Sequence, residues 1–97
     1  MSRLFFRQSK VEKERRRRIL LSLWAYAYEY AGEPMVSDAV FDEEAKKVDL
    51  SIDTGNVKMD NWFRNNFVDY SGSWIGKHPE LNRIKEIYDR LAQTCRR

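Results

Sequence analysis

Apolar residues recur along the first third of the chain with the spacing of a helix. Ser9 and Glu12 form an S-x-x-E pattern, in which the hydroxyl and the carboxylate satisfy free backbone donors at a helix start. Gly32 and Pro34 end the pattern. Steps of three and four residues place six side chains on one face of this predicted helix: Ile19, Leu20, Leu23, Trp24, Ala27 and Ala31.

A second, shorter helix is predicted directly after the Gly-x-Pro turn. Ser37 is placed to accept a backbone N–H at its start, and the apolar positions Phe41, Ala45 and Val48 follow. The acidic residues of this segment stand near its start and its lysines toward its end, an order that the helix dipole favours. We therefore expect the first two helices to form a hairpin.

The pattern changes after Asp49. The sequence SIDTGN contains a Gly-Asn pair and little periodicity, which indicates a loop. Asp60 is placed to cap a short helix that brings Trp62, Phe63 and Phe67 to the core or to a surface.

A further turn and a final helix are predicted in the last third of the chain. The sequence SGSW, residues 71–74, is typical of a turn. Pro79 suits the first position of a helix that should run to about Thr94. Its apolar stripe consists of Leu81, Ile84, Ile87, Tyr88, Leu91 and Cys95.

Together these elements predict an all-α fold, a compact bundle of three to four helices. We expect a basic N-terminal tail at residues 1–8 and a single helical domain at residues 9–97. A chain of 97 residues has room for one core. Apolar residues make up 42% of it, which favours a folded domain despite 34% charged residues.

Composition limits the chemistry that this chain can perform. No apolar run approaches the roughly 20 residues needed to cross a bilayer, and the opening MSRLFFRQSK does not have the pattern of a secretory signal. We expect a cytoplasmic protein that does not enter a membrane. Cys95 is the single cysteine and His78 the single histidine, so neither an internal disulfide nor a metal site is expected.

Charge is strongly segregated along the chain, although the net charge is only +3. Nine acids and three lysines lie between Glu29 and Asp60, whereas the opening segment carries only Glu12 and Glu14 against eight basic residues. Four arginines on a helix point to all its sides, so they cannot all serve one groove; the run is either a solvated helix start or a binding patch. The basic residues are Arg3, Arg7, Lys10, Lys13, Arg15, Arg16, Arg17 and Arg18.

The stretch YEYAGEPMVSDAVFD, residues 28–42, resembles the N-terminal helical segment, domain Ia, of bacterial NAD-dependent DNA ligases. The resemblance covers about residues 20–48 and rests on a Tyr, a Gly-x-Pro turn and the motif V-S-D-A-x-F-D. In that family the segment forms a helical hairpin and grips the nicotinamide mononucleotide half of NAD. The resemblance implies a similar hairpin here, with a nucleotide-binding site at Tyr28, Asp38, Phe41 and Asp42.

Two positions depart from the ligase pattern. Glu29 replaces a His or Tyr, and Phe41 lacks the hydroxyl of the Tyr that the family has there, so it cannot hydrogen-bond a sugar or phosphate. The alternative is that these residues serve the hairpin alone, with Asp38 and Asp42 at a helix start and Tyr28 packed beside Phe41.

Catalysis is not expected. Ligase chemistry needs a K-x-D-G lysine nucleophile, and both KVDL at Lys47 and KMDN at Lys58 lack the glycine. His78 stands beside Pro79 at a predicted helix start, where it is expected to act as a cap.

A short, free-standing chain of this kind also resembles small proteins encoded by bacteriophages and prophages. The aromatic turn and the W-I-x-x-H-P-E-L sequence of the second half carry that resemblance. It implies a non-catalytic interaction protein in the host cytoplasm. Its partner would be a host protein that it inhibits or redirects, a nucleic-acid-processing enzyme such as a nuclease or a defence complex.

Three kinds of binding remain open from the sequence. A partner protein would meet Arg15, Arg16, Arg17, Arg18, Trp62, Phe63, Phe67 and Trp74, because Arg and Trp are common interface anchors. The first alternative is a small NAD or NMN-binding domain. The second is direct binding of nucleic acid through the basic opening segment. No cofactor is predicted beyond that nucleotide, and the oligomeric state stays open.

Overall fold

Four α-helices and two short segments of other helix types form the described part of this chain. The structure is a computed structural model that describes residues 9–95, so the predicted tail at residues 1–8 lies outside the described residues. Residues 9–95 contain no strand, which confirms the all-helical prediction. The elements are α1 (Lys10–Tyr26), a π-helical turn (Ala27–Ala31), α2 (Asp38–Ala45), α3 (Val57–Asn66), a 3₁₀ helix (Ser73–Lys77) and α4 (Leu81–Cys95).

The first two helix starts are capped as the sequence predicts. The Ser9 hydroxyl oxygen accepts the backbone N–H of Glu12 at 3.1 Å, and the Ser37 hydroxyl oxygen accepts that of Val40 at 3.2 Å. Each bond satisfies a donor that the helix itself leaves free. These caps fix where α1 and α2 begin.

The start of α3 differs from the prediction. Gly55 adopts a φ of 94°, a conformation that favours glycine, and the chain turns there. Asn56 then becomes the cap, and its side-chain oxygen accepts the N–H of Met59 at 3.1 Å. Asp60 lies inside α3 and is buried, so its predicted role as a cap was wrong.

The last helix begins two residues later than predicted, at Leu81. His78 Nδ1 accepts the N–H of Glu80 at 2.9 Å, so its side chain caps the turn that leads into α4, as predicted. The predicted turn at residues 71–74 leads into the 3₁₀ helix.

The apolar spacing predicts the buried face of α1 only in part, because Leu23 and Ala27 of the predicted stripe are buried but its first two residues are not. Ile19 and Leu20 are exposed, whereas Leu21 and Ala25 are buried in the main core. Glu14, Arg18 and Ser22 continue the same buried face toward the start of the helix. Because these three positions are polar, the spacing of apolar residues alone does not indicate this part of the buried face.

Two apolar clusters meet at α1. The larger contains Leu21, Ala25, Ala45, Phe63, Trp74 and Ile75, and the smaller contains Leu23, Ala27, Ile84 and Tyr88. Since α1 contributes to both, it is the central helix, with α2, the 3₁₀ helix and α4 packed around it. Each buried large side chain contributes about 1.5–3 kcal/mol through removal from water.

A buried ion network joins α1 to α3. Arg18 Nε donates to Glu14 Oε2 at 2.8 Å, and its Nη1 donates to Asp60 Oδ1 at 3.0 Å. Arg18 Nη2 also donates to the carbonyls of Asp49 and Ile52, at 2.8 and 3.2 Å. The guanidinium group of Arg18 therefore bonds the loop between α2 and α3 to α1 at two carbonyls.

The buried carboxylate of Asp60 accepts hydrogen bonds from both Arg18 and Thr54. Burial raises the pKa of its carboxyl group, but hydrogen bonds from Thr54 and the charge of Arg18 outweigh burial, so the pKa is lowered overall. The Thr54 N–H and hydroxyl donate to Asp60 at 2.9 and 2.6 Å. The aspartate consequently stays charged in the core.

Candidate binding cleft

An open cleft of about 290 Å³ lies between the end of α1, the start of α2 and the loop at residues 70–72. Four aromatic residues line it: Trp24, Tyr28, Phe41 and Tyr70. Three carboxylates line it as well: Glu29, Asp38 and Asp42. It is the place in the described chain where exposed rings and acids come together.

The π-helical turn provides the first wall of the cleft. In this turn the N–H of Gly32 bonds to the carbonyl of Ala27, five residues back, which widens the helix locally. Gly32 then ends the helix in a left-handed conformation with φ of 69°. Tyr28 and Glu29 lie in the widened turn, and such π-helical segments frequently occur at functional sites.

Helix α2 provides the second wall. The rings of Trp24 and Phe41 lie 6.4 Å apart between centroids, at 52°, so α1 and α2 pack against each other as the predicted hairpin requires. Asp38 and Asp42 are one turn apart on α2, which places them on the same face near the positive end of the helix.

The loop at residues 70–72 closes the third side and depends on Gly72. A Cβ atom added at Gly72 would stand 3.2 Å from Cβ of Ala25 and 3.5 Å from Cζ of Phe41. The backbone therefore approaches both helices closely only because the residue has no side chain. This approach brings Tyr70 to the rim.

The cleft is negatively charged and uncompensated. Among residues 9–95, none that lines it is basic. Within residues 9–95, Glu29, Asp38 and Asp42 make no hydrogen bond or ion pair through their side chains. Elsewhere in the fold, acids meet arginines: Glu44 accepts from Arg17 Nε at 3.0 Å, and that hydrogen bond is the main cause of its lowered pKa.

The structure brings together all the residues that the sequence assigns to a nucleotide site. Tyr28, Asp38, Phe41 and Asp42 line the same cleft, and so does Glu29. Sequence reasoning missed Tyr70 and Gly72, because they follow the end of α2 by 25 and 27 positions and only tertiary packing brings them to the hairpin. A Ser-Gly-Ser turn after a tyrosine is the one local signal for that loop.

The four consecutive arginines are dispersed around α1. Arg18 is buried in the ion network, and Arg17 donates to both Glu14 and Glu44. Arg15 donates to the carbonyl of Thr54. Arg16 alone of the four is exposed without a partner among residues 9–95, so the run does not form one basic patch.

The aromatic residues of the second half belong to the core. Phe63 and Trp74 are only 3% and 5% exposed, and their ring centroids lie 5.7 Å apart, so neither is available to a partner in this fold. Trp62 is half-buried against His78, with ring centroids 5.1 Å apart, and Phe67 is half-buried beside Trp74. These rings pack on one another because α3 and the 3₁₀ helix face the same cluster.

A second groove, of about 360 Å³, lies where α1, α3 and α4 meet. Ile19, Ile84 and Ile87 line its apolar part, and Arg83 and Glu80 stand among its charged residues. It mixes both charges and shares buried residues with the ion network.

Residues 9–95 include no helix with the length and apolar character needed to span a membrane. The same residues include no group of three or more His, Cys, Asp or Glu side chains arranged to hold a metal ion.

Comparison of this chain with protein-family models, with curated proteins and with solved structures found no match. The candidate site is therefore defined by the cleft's own residues and charges.

Proposed function

We propose that this chain is a non-catalytic interaction protein that binds another protein through the aromatic face around the cleft. The observation that supports the proposal is the exposure of large rings at its rim: Tyr28 is 58% and Tyr70 77% exposed. Met35, which also lines the cleft, is exposed beside them. Tyrosine and methionine are enriched at protein interfaces, and exposed apolar clusters commonly mark them.

This proposal moves the binding face away from the residues that the sequence suggested. Phe63 and Trp74 stabilise the core, and Arg17 and Arg18 stabilise the fold through ion pairs. The choice of a host nucleic-acid-processing or defence enzyme as the partner rests on the resemblance to phage proteins alone.

Affinity capture with matched variants tests the proposal. Tagged protein is used to capture partners from bacterial lysate, with nuclease treatment and at raised salt. We expect one protein complex to be retained by the wild type and lost by the double variant Tyr28→Ala/Tyr70→Ala. The control is Val57→Ala, since Val57 is highly exposed on α3 and lines neither groove.

Two other outcomes would overturn this assignment. Loss of capture by Arg15→Ser/Arg16→Ser, with the tyrosine variant unaffected, would place the interface on α1. Loss of all bound material after nuclease would show that the chain binds nucleic acid rather than protein.

Binding of a nicotinamide nucleotide is a second candidate, favoured by the convergence of Tyr28, Asp38, Phe41 and Asp42 on one cleft. The uncompensated carboxylates oppose the phosphates of such a ligand and favour its positively charged pyridinium ring. We therefore expect nicotinamide riboside, which has no phosphate, to bind more tightly than NMN or NAD.

Thermal unfolding with each of these ligands tests the second candidate. A ligand that binds only the folded state raises the midpoint, by an amount equivalent to about 2.7 kcal/mol at 100 times its Kd. Asp38→Asn should abolish the shift without unfolding the domain. Absence of any shift for the wild type would eliminate this candidate.

A further inference from the structure

We infer that the cleft binds a positively charged organic group, the guanidinium or ammonium end of an arginine or lysine side chain of the partner. The inference rests on the proposed function, because it names the chemistry that the partner presents. Its basis is the combination of rings and unpaired acids around one opening.

Aromatic rings line the cleft on three sides. Trp24 and Tyr28 come from the end of α1 and the π-helical turn, Phe41 from α2, and Tyr70 from the loop that closes the third side. Rings on three sides of one space can present their negative faces to a cation within about 6 Å. Such cation–π contacts are stronger for a desolvated cation than for one in water.

Three carboxylates line the same cleft without counter-ions among residues 9–95. Glu29, Asp38 and Asp42 line the same space, and none of them has a side-chain partner within residues 9–95. Three like charges around one opening repel one another, and a bound cation removes that repulsion. Anionic groups would instead add to it, so the charge selects cations over phosphates.

Size and access suit a side chain rather than a whole cofactor. The volume of about 290 Å³ is at the lower end of the range of about 300–1,000 Å³ for small-molecule pockets. Tyr28 and Tyr70 at the rim are exposed, so a chain that lies across the face could insert one side chain between them. The remaining rim residues would then contact the partner's backbone and neighbouring side chains.

Titration with charged and neutral model compounds tests this inference on the full chain. N-acetyl-arginine amide is compared with N-acetyl-citrulline amide, which has almost the same shape and no charge. The same comparison is made between N-acetyl-lysine amide and N-acetyl-norleucine amide. Backbone and indole NMR signals report where each compound binds, and their movement gives the Kd.

We expect at least one cation to shift signals of Trp24, Tyr28 and Tyr70, and to bind about tenfold more tightly than its neutral counterpart. Asp38→Asn/Asp42→Asn should reduce its affinity several-fold. The control is Glu43→Gln, because Glu43 is exposed on the same helix and does not line the cleft.

The inference is overturned if both cations bind no better than their neutral counterparts, or if the shifted signals lie outside the cleft. Capture of a partner that depends on Tyr28 and Tyr70, without any cation binding, would leave the proposed function intact and remove only the cation. Selective cation binding without any captured partner would support the cation site and contradict the proposed function.

Discussion

At the scale of single residues, His78 couples the core to pH. Its ring lies 5.1 Å from that of Trp62 and 6.0 Å from that of Phe63. Burial lowers the pKa of His78 to about 4, although the charge of Glu80 acts in the opposite direction. The ordinary pKa of histidine is 6.5, so as pH falls from 6.5 to 4 the unfolded chain binds a proton at this position and the folded chain does not. Stability should therefore decrease as pH falls through that window.

Replacing His78 with Asn tests this coupling. Asparagine can still accept the N–H of Glu80 as a cap, but it does not titrate. Between pH 7 and pH 5 we expect the wild type to lose up to about 2 kcal/mol of unfolding free energy through His78, and the variant to lose little of it. Urea unfolding at both pH values measures the difference. Equal losses in the two proteins would show that His78 does not resist protonation.

Arg18 joins the two buried carboxylates of the ion network, Glu14 and Asp60. In Arg18→Met, the buried carboxylate of Asp60 loses its counter-ion, and that of Glu14 keeps only Arg17. Removal of one partner from a buried pair destabilises by about 3–5 kcal/mol. Arg16→Met is the matched control on the exposed side of α1, where a change within about 0.5 kcal/mol is expected. Chemical denaturation gives both values, and similar values for the two variants would contradict the importance of the network.

At the scale of elements, local chemistry predicts helix starts better than buried faces. Ser9 and Ser37 act within three residues of themselves, so the sequence is sufficient to locate the starts of α1 and α2. The buried face of α1 depends instead on Asp60, which is distant in sequence and makes burial of Arg18 possible. Apolar spacing does not contain that information: it located Leu23 and Ala27 correctly, but it also included the exposed Ile19.

Substitution of Gly32 and of Gly72 should have two different effects, one on backbone strain and the other on the shape of the cleft. At Gly32 an added Cβ meets no atom within 4 Å, but φ is 69°, so Gly32→Ala should destabilise by about 1–2 kcal/mol through strain. At Gly72 the backbone is unstrained, but the new Cβ would stand 3.2 Å from Cβ of Ala25, closer than an ordinary contact. Gly72→Ala should therefore displace the loop that carries Tyr70 and weaken cation binding several-fold, whereas Gly32→Ala should not. Denaturation and the arginine titration measure the two effects, and equal weakening would rule out a specific role for the loop.

At the scale of the whole molecule, the basic opening and the acidic middle pair with each other. Arg15, Arg17 and Arg18 bond to groups between residues 44 and 60. The segregation of charge was visible in the sequence, and so was the geometric point that four arginines cannot share one groove. Sequence could not show which arginines are internal, because that depends on where α2 and α3 pack against α1. The sequence located the cleft residues of the hairpin, which are close along the chain, but it missed Tyr70, whose place in the cleft depends on tertiary packing.

This pairing decides how the basic run can be probed. We expect Arg15→Ser/Arg16→Ser to remain folded, since the described contacts of that pair amount to one hydrogen bond, a contribution of about 0.5–1.5 kcal/mol. Extending the change to Arg17→Ser and Arg18→Ser should unfold the domain, because Glu14, Glu44 and Asp60 lose their arginine partners together. Circular dichroism melts compare the double and quadruple variants. A quadruple variant with a normal melt would mean that the ion network contributes little, and only then could loss of partner capture by that variant be attributed to the surface of α1.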